Sequence, residues 1–142
     1  MTVRIIDGKA RAERLVADVG AAVAARVAAG GSRPGLAVVL VGDDPASQVY
    51  VRNKRRTTEA AGMGSFAYDL PGATPEADLL ALIDALNADP VVHGILVQLP
   101  LPKQIRELAV IDAIAPEKDV DGFNIVNTGL LAARGAGIIP CT

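Results

Sequence analysis

Leu36-Ala37-Val38-Val39-Leu40-Val41 runs straight into Gly42-Asp43-Asp44-Pro45, and this junction sets the fold. An unbroken apolar run rich in β-branched residues is what a strand covered on both faces looks like. Asp44 before Pro45 then starts a helix, with Pro at the first helical position, where its missing N–H is no loss. That helix is expected to reach about Ala61 before Gly62 stops it. Upstream, residues 3–6 read as a short strand closed by Asp7-Gly8, and residues 9–29 as an Ala-rich helix ended by Gly30-Gly31. Downstream, residues 66–70 form the next strand. Thr74-Pro75 opens a helix striped by Leu79, Leu82, Ile83 and Leu86, which ends between Asn87 and Pro90. Residues 91–99 supply a further strand, broken by Pro100 and Pro102. After Lys103 the pattern loosens into one or two short helices through Ala115, a polar turn over residues 117–122 and a helical turn over residues 127–133. Alternation of strand and helix at this spacing predicts an α/β chain, a three-layer αβα arrangement with a mostly parallel sheet and right-handed crossovers. Ligands in such sheets bind at the carboxyl ends of the strands.

Composition narrows the class. The 142 residues are the size of one domain, and 14 Lys plus Arg against 16 Asp plus Glu leave a net charge of −2. Without a basic block there is no footprint for nucleic acid, and no segment approaches the roughly 18 apolar residues of a membrane helix. The apolar fraction of 51% includes 25 Ala, and only four residues are aromatic, so stacking is scarce. One Cys, Cys141, and one His, His93, do not build the usual zinc sites, and no metal is expected. The first 14 residues hold Asp7, Arg11, Glu13 and Arg14 and lack an apolar signal core, which points to the cytoplasm.

Ser47, Tyr50 and Lys54 fall on one face of the second long helix, just after a strand's carboxyl end. A Tyr one turn from a Lys is a candidate proton-transfer pair, since desolvation loosens an ammonium's hold on its proton. The neighbours Arg52, Arg55 and Arg56 leave a second option, that Lys54 is one more solvated charge. Gln98 is the one polar side chain in the apolar end of residues 94–102, so it is either satisfied structurally or aimed at a ligand or at Lys54. His93 opens that strand at its amino end and is structural or exposed. Lys118-Asp119-Val120-Asp121-Gly122 is either a solvated turn or an anchor for a donor-rich heterocycle. A Tyr-x-x-x-Lys pair also marks short-chain dehydrogenases, but no G-x-G-x-x-G accompanies it. Asp43-Asp44 is reminiscent of response-regulator receivers, yet it follows the wrong strand and no phosphoacceptor Asp ends residues 66–70.

Together, residues 6–9, 41–54, 68–71, 94–102, 118–123 and 140–142 resemble, in order and spacing, the bifunctional methylenetetrahydrofolate dehydrogenase/methenyltetrahydrofolate cyclohydrolase family, the FolD-type enzymes. The resemblance implies a catalytic set of Lys54, Gln98 and Tyr50: Lys54 as acid/base, Gln98 holding its ammonium, and Tyr50 packing on the folate as the one obvious stacking partner. It implies a folate-binding set of Ser47, Tyr50, Lys54, Val97, Gln98, Leu99, Pro100 and Asp121, with Asp121 accepting from the pterin N–H donors. Arg52 is a candidate for the anionic folate tail. The implied cofactor is NADP, touched in this chain by Cys141 and Thr142 and bound mainly by a Rossmann domain that follows Pro140-Cys141-Thr142 in the family and is missing here. Residues 1–142 would then be the folate-binding catalytic domain of a cytoplasmic, homodimeric enzyme of one-carbon metabolism serving purine biosynthesis. Leu130 stands where many members carry Arg. The alternative is a non-catalytic α/β folate-binding or regulatory module.

Overall fold

The computed structural model describes residues 6–140; the strand expected over residues 3–6 lies almost wholly outside that range, as do Cys141 and Thr142. Among the described residues, α1 (Gly8–Ala28), β1 (Gly35–Val41), α2 (Pro45–Ala60), β2 (Gly64–Leu70), α3 (Glu76–Ala88), β3 (Gly94–Val97), α4 (Glu107–Ala113) and α5 (Ile125–Ala132) follow in order. Asp7 accepts from the Ala10 amide at 3.0 Å through its side chain and caps α1. Asp44 caps α2 in the same way, through the Ser47 amide at 2.8 Å, with Pro45 opening the helix.

The three strands form one parallel sheet in the order β2-β1-β3. β1 is central, so its predicted double burial follows: every β1 residue except Leu36 is buried. Alternate side chains go to opposite layers. Val38, Leu40 and Leu96 meet Val51 of α2 on one side, whereas Ala37, Val39, Val41, Ile95 and Val97 join Leu79, Ile83 and Leu86 of α3 and Val110 of α4 on the other. α1 leans on α2, and the helix-sheet-helix layering is the expected one.

β3 covers residues 94–97 rather than 91–99. Asp89 accounts for the loss at the start: its side chain accepts from the Val91 amide and its carbonyl from the Val92 amide, which curls those residues into a turn. At the other end Gln98 still donates its amide to the Val39 carbonyl at 2.9 Å before Leu99-Pro100 leaves the sheet. β2 begins two residues earlier than its apolar run, because Gly64 and Ser65 pair with Gly35 and Leu36. α5 starts at Ile125 rather than 127, since the Asn124 side chain accepts from the Val126 amide and caps it there.

Candidate active site

The chain passes from β1 through α2 to β2 at one edge, then through α3 back across β1 to β3 at the other, so the carboxyl ends of β1 and β3 flank the place where strand order reverses. A cleft of about 810 Å³ opens beside β3, between α1, α2 and the 120–123 turn. α2 presents Tyr50, Lys54, Thr57 and Ala61 to it at helical spacing, β3 delivers Leu96 and then Gln98, and the turn adds Val120, Asp121 and Phe123. Leu15, Val16 and Val19 of α1 form an apolar wall.

Within the cleft the Lys54 Nζ donates to Gln98 Oε1 at 3.2 Å, and Gln98 Nε2 donates to the Leu99 carbonyl at 2.7 Å. The second bond fixes the amide so that its oxygen faces the ammonium. Of the two options for Lys54, the solvated charge is therefore set aside: the side chain is half-buried and engaged. Asp121 is half-buried in the same cleft, with no protein donor to its side chain among the described residues. Burial pushes its carboxyl above the ordinary value; the Lys54 charge pulls it back, and the Asp119 charge adds to the rise. A cation, an amide acceptor and a carboxylate without a protein donor thus share a space whose other walls are apolar.

Several expected residues lie elsewhere. Ser47 is buried at the start of α2, its amide held by Asp44, and does not line the cleft. Val97 points into the opposite layer with Val39 and Ile83, because strand side chains alternate and Leu96 and Gln98 take the cleft side. Leu99 and Pro100 lie past the strand end, and of the two only Leu99 touches the site polar groups, through its carbonyl. Arg52 faces away: with Arg55 and Arg56 it lines a separate cavity of about 490 Å³ on the far side of α2, where Arg55 pairs with Asp69 at 2.6 Å. Tyr50 is not the one aromatic available, since Phe123 lines the cleft as well. Nor is the Lys118–Gly122 turn simply solvated, for Asp119 is 3% exposed. His93 is exposed and at the same time hydrogen-bonded, its ring between the Gly35 amide, the Val91 carbonyl and the Ser32 hydroxyl.

A family model described as tetrahydrofolate dehydrogenase/cyclohydrolase, catalytic domain, matches residues 6–121. The chain belongs to the tetrahydrofolate dehydrogenase/cyclohydrolase family. It is 58% identical over its full length to the bifunctional protein FolD of Erythrobacter litoralis and 60% identical over 97% of its length to FolD 2 of Paracoccus denitrificans, covering 48% and 46% of those proteins. The chain thus spans about half the length of the curated relatives it matches. Among solved structures, a methylenetetrahydrofolate dehydrogenase of the silkworm Bombyx mori superposes with a TM-score of 0.94 at 43% identity, over 98% of this chain and 48% of that one. The Trypanosoma brucei dehydrogenase-cyclohydrolase, solved with NADP cofactor and an inhibitor, gives 0.92 at 36% identity, over 99% and 49%.

The one helix that begins at a central strand's carboxyl end, α2, has its N-terminal amide at Ser47 already taken by the Asp44 carboxylate, with Asp43 alongside. A pyrophosphate would meet negative charge there rather than open N–H groups. Among the described residues, the start of α2 is therefore not an open anion site. No group of three or more metal-ligating side chains occurs among them, and none of their helices is long and apolar enough to cross a membrane.

Proposed function

We propose that this chain is the folate-binding, proton-handling half of an enzyme that oxidises 5,10-methylenetetrahydrofolate and hydrolyses the resulting methenyl cation to 10-formyltetrahydrofolate. The observation that carries this is the Lys54–Gln98 contact at 3.2 Å, facing Asp121 in one largely apolar cleft. A pterin presents an amino group and ring N–H donors to a carboxylate, and its flat ring suits the apolar walls and the Tyr50 and Phe123 rings. In the hydrolytic step water adds to the methenyl carbon and must lose a proton as it does so. Lys54, neutral or acting through a bound water, takes that proton, and the adduct then collapses by breaking the bond from carbon to one ring nitrogen, which is protonated in turn. Gln98 holds the lysine nitrogen at the reacting centre through both stages. By the family resemblance NADP would be bound mainly outside residues 1–142, with Cys141 and Thr142 as its contacts in this chain. A homodimeric, cytoplasmic whole protein follows from the family likeness alone.

Two measurements test this. Titration of the 142-residue chain with tetrahydrofolate is expected to show weak, saturable binding, while hydride transfer to NADP is expected to be near zero; robust turnover by these residues alone would reject the division of labour. In the whole protein, Lys54→Met is expected to lower methenyl hydrolysis about 100-fold or more. Hydrolysis that survives the change would show that the acid/base role given to Lys54 is wrong.

A further inference from the structure

We infer that Asp119 is the positioning residue of the site, a buried carboxylate that shapes the turn carrying Asp121 and ties that turn to residues 138–140. The inference rests on the folate role of Asp121 proposed above. Asp119 Oδ1 accepts from the Gly122 amide at 3.1 Å, and Oδ2 accepts from the Asn124 amide at 2.8 Å and from Asn127 Nδ2 at 3.1 Å. Three donors around one side chain that is 3% exposed make a cage, and a buried carboxylate persists only when so satisfied. Asp119 and the Gly122 amide bracket Asp121: the bond between them fixes both ends of the short stretch that carries Val120 and Asp121, and both of those residues line the cleft.

The cage extends outward through Asn127. Its Nδ2 also donates to the Pro116 carbonyl at 2.8 Å, and its Oδ1 accepts from the Ile138 amide at 3.3 Å. Gly122 completes the join. Its φ is +72°, and a Cβ there would lie 2.8 Å from the Ile138 carbonyl oxygen and 2.9 Å from the Pro140 nitrogen, so residues 138–140 lie directly on the turn. Lys118, one residue before Asp119, acts on another part of the fold. Its Nζ donates to the Leu86, Asn87 and Asp89 carbonyls at 3.0, 2.7 and 2.8 Å, closing the end of α3 on the far side from the cleft. Adjacent residues thus divide their roles, Lys118 holding the scaffold and Asp119 the site.

This division gives the test its control. Charged groups acting on Asp121 are Lys54 from α2 and Asp119 from its own turn, and Tyr50 is the further titratable group lining the cleft. Tetrahydrofolate affinity would be measured by calorimetry across pH for the 142-residue chain, Asp119→Asn, Lys118→Met and Asp121→Asn. Asp119→Asn is expected to weaken binding about tenfold on the neutral plateau, because an amide presents N–H to donors. It is also expected to move the acid limb of binding to lower pH, because the like charge beside Asp121 is gone. Lys118→Met is expected to lower the melting temperature and leave both the plateau and the limb in place. An Asp119→Asn chain that melts lower but keeps plateau and limb would overturn the inference, and so would a Lys118→Met chain that loses as much affinity. Should Asp119→Asn fail to fold, hydrogen exchange on the unmodified chain decides: the Gly122 and Asn124 amides are expected to be protected, and exchange at free-loop rates would overturn the cage. Normal binding by Asp121→Asn would instead reject the folate role itself.

Discussion

At the scale of single residues, Asp121 shows a conflict between stability and function. Its carboxyl is pushed up first by burial and then by Asp119, with Lys54 opposing. A raised value in the folded state means the native chain holds the proton more tightly than the unfolded chain, so ionised Asp121 costs stability at neutral pH, and the cost vanishes as pH falls below the ordinary carboxylate range. Asp121→Asn is therefore expected to raise the melting temperature at neutral pH by about 1–3 °C and to weaken tetrahydrofolate binding. The gap in melting temperature should close in acid. A variant that melts below the parent at neutral pH would count against this origin of the shift. Lys54, Gln98 and Asp121 were legible as candidates only through the family resemblance, because the local setting of each, a helix face, a strand end and an acidic turn, left a structural or solvated reading open. Asp119 and Phe123 were not. The donors that bury Asp119 come from positions 122, 124 and 127, and nothing in the local spelling separates it from a solvated turn carboxylate. Val97 was misplaced for a simpler reason, since strand parity sends either 96 and 98 or 97 into the cleft and only the pairing decides which.

Elements were legible where their ends are chemically marked. Pro45, Gly30 and Gly62 announce starts and stops, and the helices begin or end within a residue or two of them. Strand ends were less legible, because a strand's length depends on a partner elsewhere: Gly64 joins β2 by facing Gly35, and Val91 leaves β3 because Asp89 captures it. Two glycines show how differently one residue type is used within these elements. Gly20 sits inside α1, and a Cβ there would meet only Ala61 at 3.7 Å, ordinary contact. Gly20→Ala is expected to stabilise the chain by about 0.5–1 kcal/mol, the helical penalty of glycine. At Gly35 a Cβ would lie 2.3 Å from the Val91 carbonyl oxygen and 2.6 Å from the Phe66 ring. Backbone does not yield there, and Gly35→Ala is expected to cost about 3 kcal/mol or more. Denaturant unfolding of both variants checks the pair, and equal effects would mean that α1 and β1 are not packed as described.

At the scale of the whole molecule, α1 and the cleft beside it leave large apolar side chains in water among the described residues. α1 runs for 21 residues, yet Val23 is its one buried side chain, while Leu15 is 61% exposed on the wall of the cleft. Tyr50, Phe123 and Ile125 are also exposed, and Ile139 stands out on the segment that passes Gly122. Single exposed apolar residues are ordinary, but Leu15, Tyr50 and Phe123 line one cleft, and apolar surface gathered there invites association. A net charge of −2 adds little repulsion to prevent it. The 142-residue chain is therefore expected to self-associate with rising concentration, and Leu15→Glu to disperse it. Because Leu15 gains little from the fold, its replacement should leave the melting temperature of the dilute chain within about 2 °C. Sedimentation velocity over a wide concentration range checks the association, and thermal unfolding of the dilute variant checks the second claim. A single monomeric boundary at the highest concentration would show that the patch is too broken to act, and association that persists in Leu15→Glu would place the contact away from α1.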